Sequence, residues 1–194
     1  MRPEIINQPL LIATIGQPGT GKTFFASQFA NTFNTPFISA NSIRSLVYKK
    51  PTYDQKEEDV ITTLVYLQLA ETFKTKKAIV LDTPLQTKKE RDDLSRIAKK
   101  AGYKLTLILM QSNDIVAQNR ATDPVKPDSM TDQQYEMVLK SFEQPDVKEN
   151  VIVLSGQHTF KSQLRLVINR LSSSLKPDNI QNIIDRQTRI LKNK

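Results

Sequence analysis

A three-layer α/β fold, with a mainly parallel five-stranded sheet and helices on both faces, is predicted by two features of this 194-residue sequence. Short apolar runs have the length of buried strands, and stretches of helical period alternate with them. Such alternation implies crossover connections and hence a parallel sheet covered on both sides. A hydrophobic content of 38% is enough for one core without disulfides or a structural metal.

The elements follow in order. Residues 10–15 (LLIATI) form an apolar run closed by a glycine-rich turn, and a helix is expected over 22–33. A second strand is expected at 36–39, then a polar turn leading into Ile43, Leu46 and Val47 at helical spacing, with Pro51 ending that helix. Within 53–73 a long helix is predicted to bury Val60, Ile61, Leu64, Leu67 and Phe73, and its first turn is acidic, as the helix dipole prefers. Residues 78–81 read as the third strand, ending at Asp82. Thr87 with Glu90, and later Thr131 with Gln134, have the capping-box spacing that starts a helix. Gly102 ends the first of these helices, residues 105–110 form the fourth strand, and a short helix spans 114–121 before a loop at 122–130 with Pro124 and Pro127. The second capping box opens a helix carrying Tyr135, Val138, Leu139 and Phe142, and the fifth strand is expected at 151–154. Two basic helices follow, separated by Ser172, Ser173, Ser174 and Pro177. The domain is expected over 1–171, with 172–194 a basic helical extension packed on it through Ile180, Ile183, Ile184, Ile190 and Leu191.

The strongest signal is the run Gly16, Gln17, Pro18, Gly19, Thr20, Gly21, Lys22, Thr23, which fits G-x-x-x-x-G-K-[ST], the P-loop or Walker A motif. Glycines let the backbone curl with its N–H groups inward, making an anion site at the positive end of the following helix. Lys22 would reach the β and γ phosphates of ATP or a related nucleotide, and Thr23 would place its hydroxyl on Mg2+. Three of the five glycines in the chain lie in these eight residues, between a strand and a helix, as the motif requires.

Four segments resemble the small P-loop kinases or AAA-type ATP-binding proteins that include polynucleotide 5'-kinase domains and zeta-toxin-like phosphotransferases, and the likeness implies a nucleoside-kinase-like P-loop NTPase fold. They are the loop itself, residues 39–44 (SANSIR), Val80-Leu81-Asp82-Thr83 before a charged helix, and the stretch from Asn119-Arg120 to Phe142-Glu143-Gln144-Pro145. The segment 156–163 (GQHTFKSQ) is similar to the family's final pattern. The resemblance implies an ATP-dependent transfer of the γ-phosphate to a hydroxyl acceptor: a nucleic-acid 5' end, a nucleoside or another small molecule. It implies a lid at about 120–130 and a phosphoryl-binding or nucleotide-binding role for Arg120. Asp82, at the end of a buried strand, would bind Mg2+ with Thr23 or orient the acceptor. Asn41 and Arg44 would line the acceptor pocket, Arg44 binding a phosphate there.

One position departs from the family pattern. An aspartate three residues before the arginine would take the proton of the attacking hydroxyl, and here that residue is Asn41, whose amide has no useful basicity. Asp82 is the first replacement base to consider, with Asp54, Glu57 and Glu58 more distant; the alternative is an ATP-binding or slow ATPase module that lost transfer. His158, the sole histidine, is expected to be structural or solvent-exposed.

Composition limits the remaining classes. The absence of cysteine excludes a disulfide framework, a zinc-thiolate site and a cysteine nucleophile, and fits a reducing compartment. The first apolar run is far shorter than the roughly 20 residues of a membrane span, and Pro3 and Glu4 spoil a signal-peptide reading, so a soluble, cytoplasmic chain is expected. Most of the net charge of +8 comes from the end of the chain, where Lys161, Arg165, Arg170, Lys176, Arg186, Arg189, Lys192 and Lys194 face Asp178 and Asp185. The expectation there is a solvated helical face, with attraction to a polyanion the alternative.

Overall fold

A computed structural model of the chain describes residues 9–126 and 129–172. The expected extension beyond Ser172 lies outside the described residues, as do residues 127 and 128 of the expected lid.

The described elements run β1 (Leu10–Ile15), α1 (Lys22–Phe33), β2 (Phe37–Ser39), α2 (Ala40–Val47), α3 (Gln55–Phe73), β3 (Ile79–Asp82), α4 (Lys88–Lys100), β4 (Lys104–Gln111), α5 (Asp114–Ala121), α6 (Asp132–Ser141), β5 (Val151–Ser155) and α7 (Phe160–Leu171). The strands form one sheet in the order β2-β3-β1-β4-β5, and each neighbouring pair is parallel. β1 lies at the centre, buried at all six positions. Its alternating side chains divide between two cores. Leu10 and Ile12 pack with Phe25, Phe29 and Phe33 of α1 and Leu164, Val167 and Ile168 of α7. Leu11, Ala13 and Ile15 pack on the other face with Ile61, Val65 and Leu69 of α3 and Leu94 and Ala98 of α4. Period-two alternation in the strand and period-3.6 stripes in the helices thus produce the three layers.

Two elements differ from the sequence reading. Ser39 caps α2, accepting from the Ser42 N–H at 3.4 Å, so the helix begins directly after β2 where a polar turn was expected, and it ends at Val47, short of Pro51. In α3 the buried row is Glu57, Ile61, Val65, Leu69 and Phe73, an unbroken i, i+4 stripe, while Val60 and Leu67 are exposed. Both capping boxes form as expected, at Thr87 with Glu90 and Thr131 with Gln134.

Arg91, 1% exposed, links segments remote in the chain. Its Nε donates to Glu149 Oε2 at 2.6 Å and its Nη1 to the carbonyls of Leu85 and Gln86 at 3.4 and 3.2 Å, joining α4, the turn after β3 and the approach to β5.

Candidate nucleotide site

The loop after β1 takes its shape from close backbone packing. Gly19 has φ +75°, and a Cβ there would lie 1.9 Å from the Ala117 carbonyl oxygen of α5. A Cβ on Gly156, after β5, would lie 2.1 Å from the Thr20 carbonyl oxygen, and the Gly156 N–H donates to Gln111 O at 2.7 Å. Glycine is therefore required at both places, one in the loop and one in the turn that braces it. Thr20, 1% exposed, closes the loop by donating its hydroxyl to Gln17 O at 2.8 Å.

The helix that follows has an open N-terminus. α2, α3, α4, α5, α6 and α7 are each capped by a side chain (Ser39, Asp54, Thr87, Asn113, Thr131, Thr159), whereas α1 starts at Gly21, with no side-chain cap and no acidic residue in its first turn. Its leading N–H groups are left for an anion. Lys22 completes the positive site. Its Nζ donates to Gly16 O at 2.9 Å and Gln17 O at 2.7 Å, folding the ammonium over the loop. Burial pushes its pKa down to about 8, against the opposing pull of the Asp82 carboxylate.

Asp82 sits where β3 ends beside β1. Ala13 pairs with Leu81, and one residue further the Thr14 hydroxyl donates to Asp82 Oδ1 at 2.8 Å. The Thr23 hydroxyl donates to Asp82 Oδ2 at 2.7 Å, so both carboxylate oxygens are engaged by threonines from either side of the loop. Thr14 is fully buried, and Asp82 is 7% exposed. Among the described residues no group of three or more His, Cys, Asp or Glu could hold a metal by itself. A single hydroxyl and a single carboxylate in contact, beside a phosphate cradle, suit Mg2+, which keeps water and phosphate oxygens as its other ligands.

The remaining predicted residues lie on α2 and α5. Arg120, in the last turn of α5, is exposed, and its carbonyl accepts from Lys126 Nζ at 2.7 Å. Asn41 is exposed near the start of α2, two residues beyond Ser39, which pairs with Asp82 in the sheet. Arg44, 3% exposed, turns inward. Its Nε donates to Glu57 Oε1 at 2.7 Å, its Nη1 to Asn41 Oδ1 at 3.1 Å and its Nη2 to Glu58 Oε1, with the Tyr53 ring 4.6 Å from the guanidinium carbon. Every guanidinium nitrogen thus has an internal partner, so the cation expected to bind an acceptor phosphate is matched here by Glu57, Asn41 and Glu58. The same arrangement explains the amide at position 41. With Glu57 and Glu58 already on one guanidinium, an aspartate would add a third carboxylate, whereas the Asn41 oxygen accepts without adding charge. His158 is exposed, as expected.

Three parts of the site were not singled out from the sequence as such: Thr14, the bracing role of Gly156, and the pairing of Arg44 with Glu57 and Glu58. Thr14 has a signal in retrospect, as the one hydroxyl in an otherwise apolar buried strand.

A family model described as "AAA domain" matches residues 11–145. Comparison with curated proteins finds no match. Among solved structures, the chain is similar to a gluconokinase from Sinorhizobium meliloti 1021 (TM-score 0.63, 16% identity, 92% of this chain and 97% of that one). A sugar kinase from Janibacter sp. HTCC2649 matches with TM-score 0.64 and 14% identity over 88% of this chain and 97% of that one. A deoxyadenosine kinase from M. mycoides, with products dCMP and dCDP bound, matches with TM-score 0.58 and 16% identity over 84% of this chain and 100% of that one. At such identities the likeness is one of fold, and it is the P-loop NTPase fold in its kinase form. With more than half of its length matched by the family model, the chain belongs to the AAA domain family.

Proposed function

We propose that the chain is a phosphotransferase that moves the γ-phosphate of ATP to a hydroxyl group of a small acceptor molecule. The observation that carries this reading is the conjunction of an uncapped helix N-terminus, the Lys22 ammonium, and an Asp82 carboxylate held between Thr14 and Thr23. A loose phosphoryl-transfer transition state asks the protein for positioning and charge, and these groups supply both. The loop N–H groups and Lys22 would hold the triphosphate. Thr23 and Asp82 would hold Mg2+, which would offset the charge of the phosphates during transfer. Arg120, whose guanidinium has no ion-pair partner among the described residues, would swing onto the nucleotide or the transferring group.

The kinase form of the fold supports the reaction class, and relatives of fold named for sugars and a nucleoside support a small acceptor. The internal pairing of Arg44 supports an acceptor without a phosphate of its own, since that cation is already matched.

The test is transfer of labelled γ-phosphate from ATP with Mg2+ to a panel of gluconate, other sugars, nucleosides and 5'-hydroxyl oligonucleotides, comparing wild type with Lys22→Ala. Transfer to a sugar or nucleoside, reduced at least ~100-fold by Lys22→Ala as for loss of a charge stabiliser, is expected. Transfer to the oligonucleotides alone would replace the small acceptor with a nucleic acid. ATP binding without transfer to any member would overturn the kinase reading in favour of a nucleotide-binding module.

A further inference from the structure

We propose that Glu58 is the general base of this site, taking the acceptor's proton where Asn41 cannot. The inference rests on the phosphotransferase reading above. The attacking hydroxyl needs a carboxylate with an open oxygen near the carboxyl ends of β2 and β3. Asp82 has both oxygens engaged, Oδ1 by Thr14 and Oδ2 by Thr23, and its position beside Thr23 suits the metal. Glu57 is 3% exposed, with Oε1 on Arg44 and Oε2 accepting from the Thr52 N–H at 2.7 Å and the Thr52 hydroxyl at 3.1 Å. Asp54 is committed to capping α3 through the Glu57 N–H at 2.9 Å.

Glu58 remains. Its Oε1 is fixed by Arg44 Nη2, its Oε2 has no partner among the described residues, and its side chain is 34% exposed. The adjacent nitrogen of the same guanidinium holds Asn41 Oδ1, so the amide and the carboxylate stand side by side on one planar fork. Asn41 lies two residues beyond Ser39, the partner of Asp82 in the sheet, so this edge of Arg44 lies just past the strand end that adjoins Asp82. Arg44 therefore holds a carboxylate beside Asn41, the position the acceptor's base was expected to occupy, and the Asn41 amide nitrogen would donate to the same hydroxyl. The surroundings favour proton uptake. Burial raises the Glu58 carboxyl above its ordinary value against the pull of Arg44, and Glu57 and Asp59 add to the rise.

In the step itself, the acceptor oxygen bonds to the γ-phosphorus as the bond from that phosphorus to the β,γ-bridging oxygen breaks. The bonding pair leaves with ADP, and the acceptor proton passes to Glu58 Oε2, to be lost to water after product release.

The experiment compares wild type, Glu58→Gln and the double variant Asn41→Asp/Glu58→Gln. It uses the panel member that wild type phosphorylates, and measures kcat, its pH profile, and affinity for a fluorescent ATP analogue. Glu58→Gln should lower kcat at least ~100-fold, the low end of a general-base contribution, while leaving nucleotide affinity within about two-fold. The acidic limb of the wild-type pH profile should disappear, and the double variant, which restores the number of carboxylates around Arg44, should recover at least ~ten-fold. Should Glu58→Gln unfold, Glu58→Asp keeps the charge, withdraws the oxygen and should show the same selective loss of kcat. A Glu58 variant that keeps wild-type kcat, or loses kcat only together with nucleotide affinity, overturns the assignment while transfer by wild type upholds the parent reading. A wild-type chain that phosphorylates nothing overturns both.

Discussion

Lys22 shows at the scale of one residue how burial and function meet. Its ammonium folds onto the carbonyls of Gly16 and Gln17, and burial lowers its pKa to about 8 from the ordinary value of 10.5. The sign for stability follows. A buried cation costs most while it is protonated, so the nucleotide-free chain gains stability as pH rises through 8 toward 10.5, where the unfolded chain still carries the proton. Binding has the opposite sense, because phosphate favours the charged form. ATP affinity should be nearly constant below pH 7.5 and weaken roughly ten-fold or more by pH 9.5, with proton uptake on binding, as linkage requires. Calorimetry in two buffers of different ionisation enthalpy measures both, and a flat affinity with no proton uptake would mean that the lysine stays charged when free. Such local chemistry was legible in the sequence, since glycines, lysine and threonine within eight residues specify their own geometry. The partners of Asp82 and Arg44 were not. Thr14 lies 68 residues from Asp82, and Glu57 lies 13 from Arg44 across a turn, so both contacts exist only once β1 meets β3 and α2 meets α3.

Among elements, the helices divide by what starts them. Side chains with an evident signature begin α4 and α6, and those starts were readable because Thr-x-x-Glu and Thr-x-x-Gln state their own hydrogen bonds. The buried face of α3 was not readable, because Val60, Ile61, Leu64, Val65, Leu67 and Leu69 put apolar groups around much of the helix and only the packed sheet chooses among them. Arg91 displays the cost of a buried link between elements. Removing its guanidinium in Arg91→Leu strips Glu149 of its countercharge, leaving it only the Asp146 N–H, and takes a donor from the Leu85 and Gln86 carbonyls, which should cost about 3–5 kcal/mol and lower the thermal midpoint by roughly 10 °C. The acid side of the stability curve provides a second reading. Burial by itself would raise Glu149, but hydrogen bonds from Arg91 and the Asp146 N–H outweigh it, so the carboxyl ends below its ordinary 4.5. A depressed carboxylate contributes stability that is fully present above 4.5 and is lost as pH falls through the lower folded value. The variant should therefore lose less stability than wild type between pH 5 and 3, measured by urea unfolding. Equal acid slopes would show that Arg91 is not what holds Glu149 ionised.

For the whole molecule, the order β2-β3-β1-β4-β5 gathers at one end of the sheet groups that are remote in the chain. The loop after β1 rests on α5 through Gly19 and on the turn after β5 through Gly156, while Thr23 reaches across to Asp82 at the end of β3. A ligand in that loop would therefore tie together both cores, since α1 belongs to the layer with α7 while β3 carries side chains into each face. Binding to the native state alone should raise its stability by about 2.7 kcal/mol at a nucleotide concentration one hundred times Kd. For a domain of this size that is roughly 5–10 °C in thermal midpoint. Magnesium should enlarge the shift, because ATP alone leaves the Thr23 hydroxyl on Asp82 and not on a metal, and Lys22→Ala should abolish most of it. Differential scanning fluorimetry with ATP, ATP and Mg2+, and ATP with a chelator separates the contributions. An equal shift in wild type and Lys22→Ala would place the nucleotide outside the loop; a shift indifferent to Mg2+ would leave Asp82 as a structural partner of its two threonines, and not a metal ligand.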